Sequence, residues 1–284
     1  MKDIQLKQDG RYFFGWAVVL LGFILMLLAY VGCVSLTGIF VIPVTETLGI
    51  DRGPFMIYMT ILSLVCVVAS PILGKLMNKG SVKKWLAVGC VSGTIGYVIF
   101  AFSTSLTGFY IGALFLGICF AGTAPMPVSI LINSWFGGKI KGTATGIAFV
   151  GSGLGGMILS PVLNAAVMSG GYQAGYFVLA GVYLIILLPL SLLLAVKSPE
   201  DKGFRRMGEV EEEKLADNAS EKRGLTTKQA MATPEFWLAL VSCVLVVFAS
   251  SAILMNDIGY YVECGIDATK AASYHGLMLG ALLI

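Results

Sequence analysis

The feature that most constrains this chain is a repeated alternation of long apolar runs and short polar connections. Seven runs are long enough to cross a bilayer, near 14–44, 55–77, 85–103, 109–135, 143–168, 173–196 and 235–262, and an eighth starts near Thr269 and still runs at Ile284. About 20 residues, each rising about 1.5 Å, carry a helix through the hydrocarbon layer. Only 12% of the residues are charged, about half the share of an ordinary soluble domain, too few to clothe so much apolar surface in water. Backbone in lipid must satisfy its own hydrogen bonds, so the runs read as helices and the fold class as all-α transmembrane. The first run, 31 residues long, exceeds what a bilayer needs and is expected to tilt or project past one interface. The last, 271–284, stops with no flanking polar residue, so the chain is expected to be C-terminally truncated, about 7.5 spans being visible.

Orientation follows from lysine and arginine. With the N-terminus placed in the cytoplasm, 17 of the 19 basic residues fall on the inner side, leaving only Arg52 and Lys270 outside. That split accounts for the net charge of +3 and excludes a nucleic-acid surface. The basic flank before span 1 (Lys2, Lys7, Arg11) resembles a secretion signal, but the run is too long and lacks a small-residue cleavage site, so it reads as a retained span. Six cysteines without paired or metal-like spacing read as small buried residues. No metal or cofactor is expected.

The one long polar segment, 197–233, holds eight basic and eight acidic residues and reads as a solvated, partly disordered cytoplasmic linker. It divides the chain into a six-helix bundle (1–196) and the start of a second bundle (234–284). Two pseudo-symmetric halves joined by a long loop are a layout of secondary transporters.

Three stretches carry a resemblance. The turn after span 2, with Gly74, Asn78, Lys79, Gly80, Lys83 and Lys84, is similar to the signature loop of the major facilitator superfamily, with Asn78 where that family has an acid. There Gly74 would allow close helix packing and Gly80 a tight turn. The start of span 1, Gly15-Trp16-Ala17-Val18-Val19, and the span 4–5 junction, Trp135-Phe136 through Lys139, Lys141 and Gly151, resemble the monocarboxylate porters and oxalate/formate antiporters within it. The resemblance implies a major facilitator fold and a conformational gate at the signature loop, whose residue 78 engages a helix of the other half. Animal monocarboxylate porters have a carboxylate-handling lysine 18 residues after the tryptophan, where this chain has Val34. Basic residues on spans 8 and 11 serve that role in the oxalate/formate group, and none has appeared in span 8 by Ile284. The glycines of span 5, from Gly142 and Gly146 to Gly151, Gly155 and Gly156, read as a helix-packing face.

Candidate pathway residues are neutral: Tyr30, Ser35, Thr37, Ser63, Thr123, Ser129 and Asn164, each equally suited to a helix–helix hydrogen bond. Asp257 is the only acid inside an apolar run. It lies about 33 Å along the helix from Glu235, so it reads as interfacial beside the aromatic belt of Tyr260 and Tyr261, with a gate or proton site as the other reading. His275, the lone histidine, is the second coupling candidate, and also reads as near the outer interface.

These features imply a monomeric, multi-pass cell-membrane protein that moves a small organic anion, a mono- or dicarboxylate, by alternating access, with a coupling proton or ion. A drug or metabolite exporter of the same fold and a transport-dead membrane sensor are the alternatives. An intramembrane enzyme is disfavoured, since no acid, histidine and cysteine cluster lies at one depth.

Overall fold

The computed structural model describes residues 7–8, 11–208 and 227–280. About half of the expected linker (209–226), together with Lys2 and the final residues of span 8, therefore lies outside the described residues. Apart from a two-residue antiparallel pairing of Lys7–Gln8 with Arg11–Tyr12 and one isolated bridge, the described elements are helical. Six helical stretches are long and apolar enough to cross a bilayer: Gly15–Leu48 (α1), Arg52–Lys79 (α2), Val82–Phe102 (α3), Leu106–Trp135 (α4), Gly138–Leu194 and Pro234–Glu263 (α7).

Gly138–Leu194 supplies two of the expected spans. Gly171 adopts φ 70°, a left-handed conformation that suits glycine, and Gly170 beside it is also non-helical. The chain folds back there, since a Cβ at Gly175 would lie 2.8 Å from Val167, eight residues earlier. In one continuous helix those residues would stand about 12 Å apart. The two limbs, α5 (138–169) and α6 (172–194), are the fifth and sixth spans. After α7 the chain turns at Gly265, φ 84°, into Ala268–Gly280 (α8).

The turns alternate between two ends. One, the basic end, carries the α2–α3 and α4–α5 turns with Lys79, Lys83, Lys139 and Lys141. The other, the far end, gathers the α1–α2, α3–α4, α5–α6 and α7–α8 turns, tied by Tyr110 Oη donating to Pro54 O (2.7 Å), Tyr172 Oη to Ser103 O (2.9 Å) and an Arg52–Glu263 ion pair (2.8 Å). Exposed apolar residues such as Val67 and Val68 on α2 and Ile185 and Leu193 on α6 give the flanks a lipid-compatible surface.

Glycine sets the closest helix contacts. A Cβ at Gly96 would lie 3.1 Å from Gly112 O on the neighbouring helix, and one at Gly155 would lie 2.8 Å from Leu27 Cα. The expected α5 packing face is therefore real at Gly151 and Gly155, which meet α1, and at Gly156, which meets Leu279 on α8. It does not extend to Gly142 and Gly146, which have nothing within 4 Å. Equal spacing along a helix does not guarantee a neighbour along its whole length.

The expected linker begins later than its composition suggests. Residues 199–208 are folded against the basic end: Gly137 N donates to Met207 O (2.7 Å), Met207 N to Trp135 O (3.0 Å), and Arg206 Nη2 to Phe136 O (3.1 Å). Phe204 completes an aromatic cluster, with ring centroids 5.7 Å from Phe13 and 6.5 Å from Trp135. Charge counting misses this because it registers Arg206 as a solvated charge and takes no account of backbone pairing or of the Phe204 ring.

Candidate functional site

The site is built on an irregularity of α1. Between Leu25 and Ser35 the helix takes the wider π form for 11 residues, then re-enters the α form at Thr37. Such segments redirect backbone groups and often occur at functional sites. Two carbonyls of this segment are taken by other helices. Ala29 O accepts from Tyr183 Oη on α6 at 3.0 Å, and Ser35 O lies 2.8 Å from His275 Nε2 on α8. At the junction the Ile39 N–H, the α-helical donor for Ser35 O, bonds Leu36 O instead (3.2 Å). That diversion leaves the Ser35 carbonyl to the histidine.

His275 is fully buried, and its Nδ1 lies 2.7 Å from Asp257 Oδ2. Asp257 is 7% exposed, and its Oδ1 accepts from Ile258 N at 2.8 Å. The interfacial readings of Asp257 and His275 are thereby corrected. Position along α7 does give the right level near the far end, but the α7–α8 hairpin turns each side chain inward against the other. A register that pairs residues 257 and 275 around Gly265 leaves no trace in hydropathy. Tyr260, 64% exposed, does fit an interfacial belt, whereas Tyr261 packs edge-to-face on Tyr274 (6.1 Å). Ser160 Oγ donates to Ala272 O (2.7 Å), so α5 also grips α8.

Beside the pair lies a cavity of about 380 Å³ bounded by Gly38, Ile42 and Glu46 of α1, Asn164 of α5, Ile258 of α7 and Ala272 of α8. The lining residues with polar side chains are Glu46 and Asn164. Among the pathway candidates, Asn164 lines this cavity, and Ser35 belongs to the site through its carbonyl. Thr37 is buried next to them and donates to Val34 O (3.1 Å). The others lie elsewhere. Tyr30 is half-buried against Phe120, Thr123 and Ser129 donate to carbonyls one turn back in α4, and Ser63 is exposed on α2.

A second polar cluster, missed in the sequence, lies under the π segment. Cys33 Sγ is 3.2 Å from Tyr183 Oη and 3.6 Å from Tyr97 Oη, all buried. Two tyrosines inside otherwise apolar runs were the available signal, since a buried phenol seeks a partner. All six cysteines are free thiols, and among the described residues no group of three or more His, Cys, Asp or Glu is arranged to hold a metal ion.

At the basic end, Gly74 does permit a close approach, its Cβ position lying 3.3 Å from Met126 Sδ. Asn78, Lys79, Gly80, Lys83 and Lys84 are exposed, and the Asn78 carbonyl accepts from Lys197 Nζ. Gly80 has φ −131°, an extended conformation open to any residue, so a glycine-only turn is not required there. The motifs at the start of α1 and the α4–α5 junction meet in space, with Trp16 and Phe136 ring centroids 5.3 Å apart.

Comparison with known proteins agrees with this architecture. The chain is similar to the membrane sensor protein UhpC of Escherichia coli, 24% identical over 78% of this chain and 52% of that protein. It is also similar to monocarboxylate transporter 12 of Mus musculus, 24% identical over 50% of this chain and 29% of that one. It spans about half or less of these relatives' lengths. A solved bacterial homolog of the human lysosomal transporter Spinster, captured inward-facing and unoccupied, superposes with a TM-score of 0.72 over 94% of this chain and 60% of that structure, at 14% identity. The sequence profile of the Major Facilitator Superfamily matches residues 16–284, and the chain belongs to that family.

Proposed function

We propose that this chain is part of a secondary active transporter that moves a small organic anion, a mono- or dicarboxylate, by alternating access. The observation that carries the reading is an asymmetry between the two ends. At the far end α7 and α8 close on α1 and α5 through His275, Ser160 and the packing of Gly156 on Leu279. Towards the basic end every residue of 234–250 is exposed, so α7 stands clear of the six-helix bundle over that length. Closure at one end with separation at the other is what a rocking two-bundle carrier requires of one of its states. The distribution of lysine and arginine supports a cytoplasmic basic end and N-terminus in a cell membrane, which makes this state inward-open.

The substrate class rests on the porter-like motifs at Trp16 and Trp135 and on the similarity to monocarboxylate transporter 12. Uptake of labelled mono- and dicarboxylates by vesicles containing the full-length protein, with and without an imposed proton gradient, tests it. Gradient-driven accumulation is expected. The similarity to UhpC, which covers most of this chain, favours a second reading as a membrane sensor. Retained ligand binding with no solute movement would select that reading.

A further inference from the structure

We infer that the Asp257–His275 contact is a binding site for a single proton, and that this proton holds the far end closed. The inference rests on the alternating-access reading and names its coupling device.

Ser35 O is a carbonyl and can only accept, so His275 Nε2, 2.8 Å away, must carry a hydrogen. With Nε2 protonated, Nδ1 carries a hydrogen only in the imidazolium form. Nδ1 stands 2.7 Å from Asp257 Oδ2, inside hydrogen-bond range. Two proton arrangements satisfy that contact: imidazolium against carboxylate, or neutral imidazole accepting from a protonated carboxyl. Both hold one proton between Nδ1 and Oδ2. Take that proton away and a lone pair faces a carboxylate in a fully buried site. Nor can the other tautomer rescue the contact, because placing the hydrogen on Nδ1 turns the Nε2 lone pair onto the Ser35 carbonyl. The three-helix contact among α1, α7 and α8 is therefore made only with the proton bound.

The sign follows. The closed far end binds one more proton than a state in which His275 has left Ser35, so closure is favoured at low pH and lost as pH rises. Other charges on the surrounding elements do not supply this effect. Arg52 of α2 and Glu263 of α7 neutralise each other at the rim, with side chains 50% and 61% exposed. Glu46 of α1 and Lys270 of α8 are exposed. Tyr58 of α2, Tyr261 of α7 and Tyr274 of α8 contribute phenol groups and no formal charge. The nearby α5 groups, Ser160 and Asn164, do not titrate.

A carboxamide can imitate the bound proton. In Asp257→Asn the amide donates to Nδ1 with His275 neutral, which reproduces the closed contact with nothing to release. The test uses spin labels at exposed Ser105 and Lys270, both at the far end, in a background lacking accessible native cysteines, in lipid nanodiscs. Between about pH 5 and about pH 9 the unsubstituted protein is expected to lose most of its short-distance population, while Asp257→Asn keeps it throughout. His275→Ala is expected to lose it at both pH values, with size-exclusion profiles checking that it folds. Because His275 is the lone histidine of this chain, nitrogen NMR of the histidine-labelled chain reads its tautomer directly. A hydrogen on Nε2 and a shared hydrogen at Nδ1 are expected in the closed state. An Nε2 without hydrogen, or a pH-driven opening equal in Asp257→Asn and the unsubstituted protein, would overturn the inference. Neither readout needs solute movement. Absent uptake with an intact proton-held contact would defeat only the transporter reading, while uptake with a pH-insensitive far end would defeat only the proton site.

Discussion

Replacing Gly155 by alanine should be among the most damaging single-methyl additions in the six-helix bundle. A Cβ there would lie 2.8 Å from Leu27 Cα and closer still to the Leu27 carbonyl oxygen, where ordinary contact begins at 3.4 Å. The obstructing atoms are backbone, so no rotamer change relieves the clash, and α1 must move away from α5. Overpacking of this kind costs about 1–3 kcal/mol, offset by about 1 kcal/mol of improved helix propensity. Gly146→Ala, on the same helix with nothing within 4 Å, gains the propensity and meets no clash. The two variants should therefore differ by about 1–3 kcal/mol in stability, a separation of about 2–12 °C in melting midpoint. Thermal unfolding of the purified protein in detergent, followed by tryptophan fluorescence and matched for lipid content, measures it. Equal midpoints for Gly155→Ala and Gly146→Ala would refute backbone-to-backbone packing of α1 on α5.

Two further outcomes follow from single contacts. Tyr183→Phe removes the donor to Ala29 O (3.0 Å), a bond that ties α6 to the π segment, so it should destabilise the bundle by about 0.5–1.5 kcal/mol in the same melt. Trp135→Phe removes the Nε1 donation to Val196 O (2.7 Å) and loosens the packing under Phe204, and limited proteolysis should then cut within 199–208 several times faster than in the unsubstituted protein.

What the sequence disclosed, and what it hid, divides along a physical line. Spans were legible because transfer from water to lipid is a property of one segment at a time, and the gap between 168 and 173 already separated α5 from α6. Contacts between segments were not. Leu25–Ser35 is as apolar as any helix, and nothing in its composition signals a π segment, because that widening is fixed by partners on α6 and α8. Asp257 and His275 were each singled out for being ionisable in an apolar run, yet their pairing depends on the register of a hairpin. Among the neutral pathway candidates polarity alone could not separate Asn164, on the cavity, from Ser63, exposed on α2. The folded stretch 199–208 looked like linker because its charges are visible and its backbone pairing with Trp135 and Gly137 is not.

The π segment joins two jobs that are usually separate. Its Ala29 carbonyl ties α1 to α6 inside the bundle, and its Ser35 carbonyl ties α1 to α8 across the bundles. When α8 withdraws, the second carbonyl loses its partner, a bond worth about 0.5–1.5 kcal/mol that another donor can restore. The nearest candidate is the Ile39 N–H, now bonded to Leu36 O, which needs only a local adjustment to restore the α-helical bond. Opening at the far end should therefore rewind one turn of α1 around Leu36. Infrared spectra of protein carrying a 13C label at serine carbonyls, with Ser35→Ala as the subtraction control, should show the Ser35 band shifting when the spin-label distances lengthen. In Asp257→Asn the band should stay fixed across the same pH range. If the distances lengthen while the band does not move, α1 keeps its π segment in both states and the coupling runs through side chains alone.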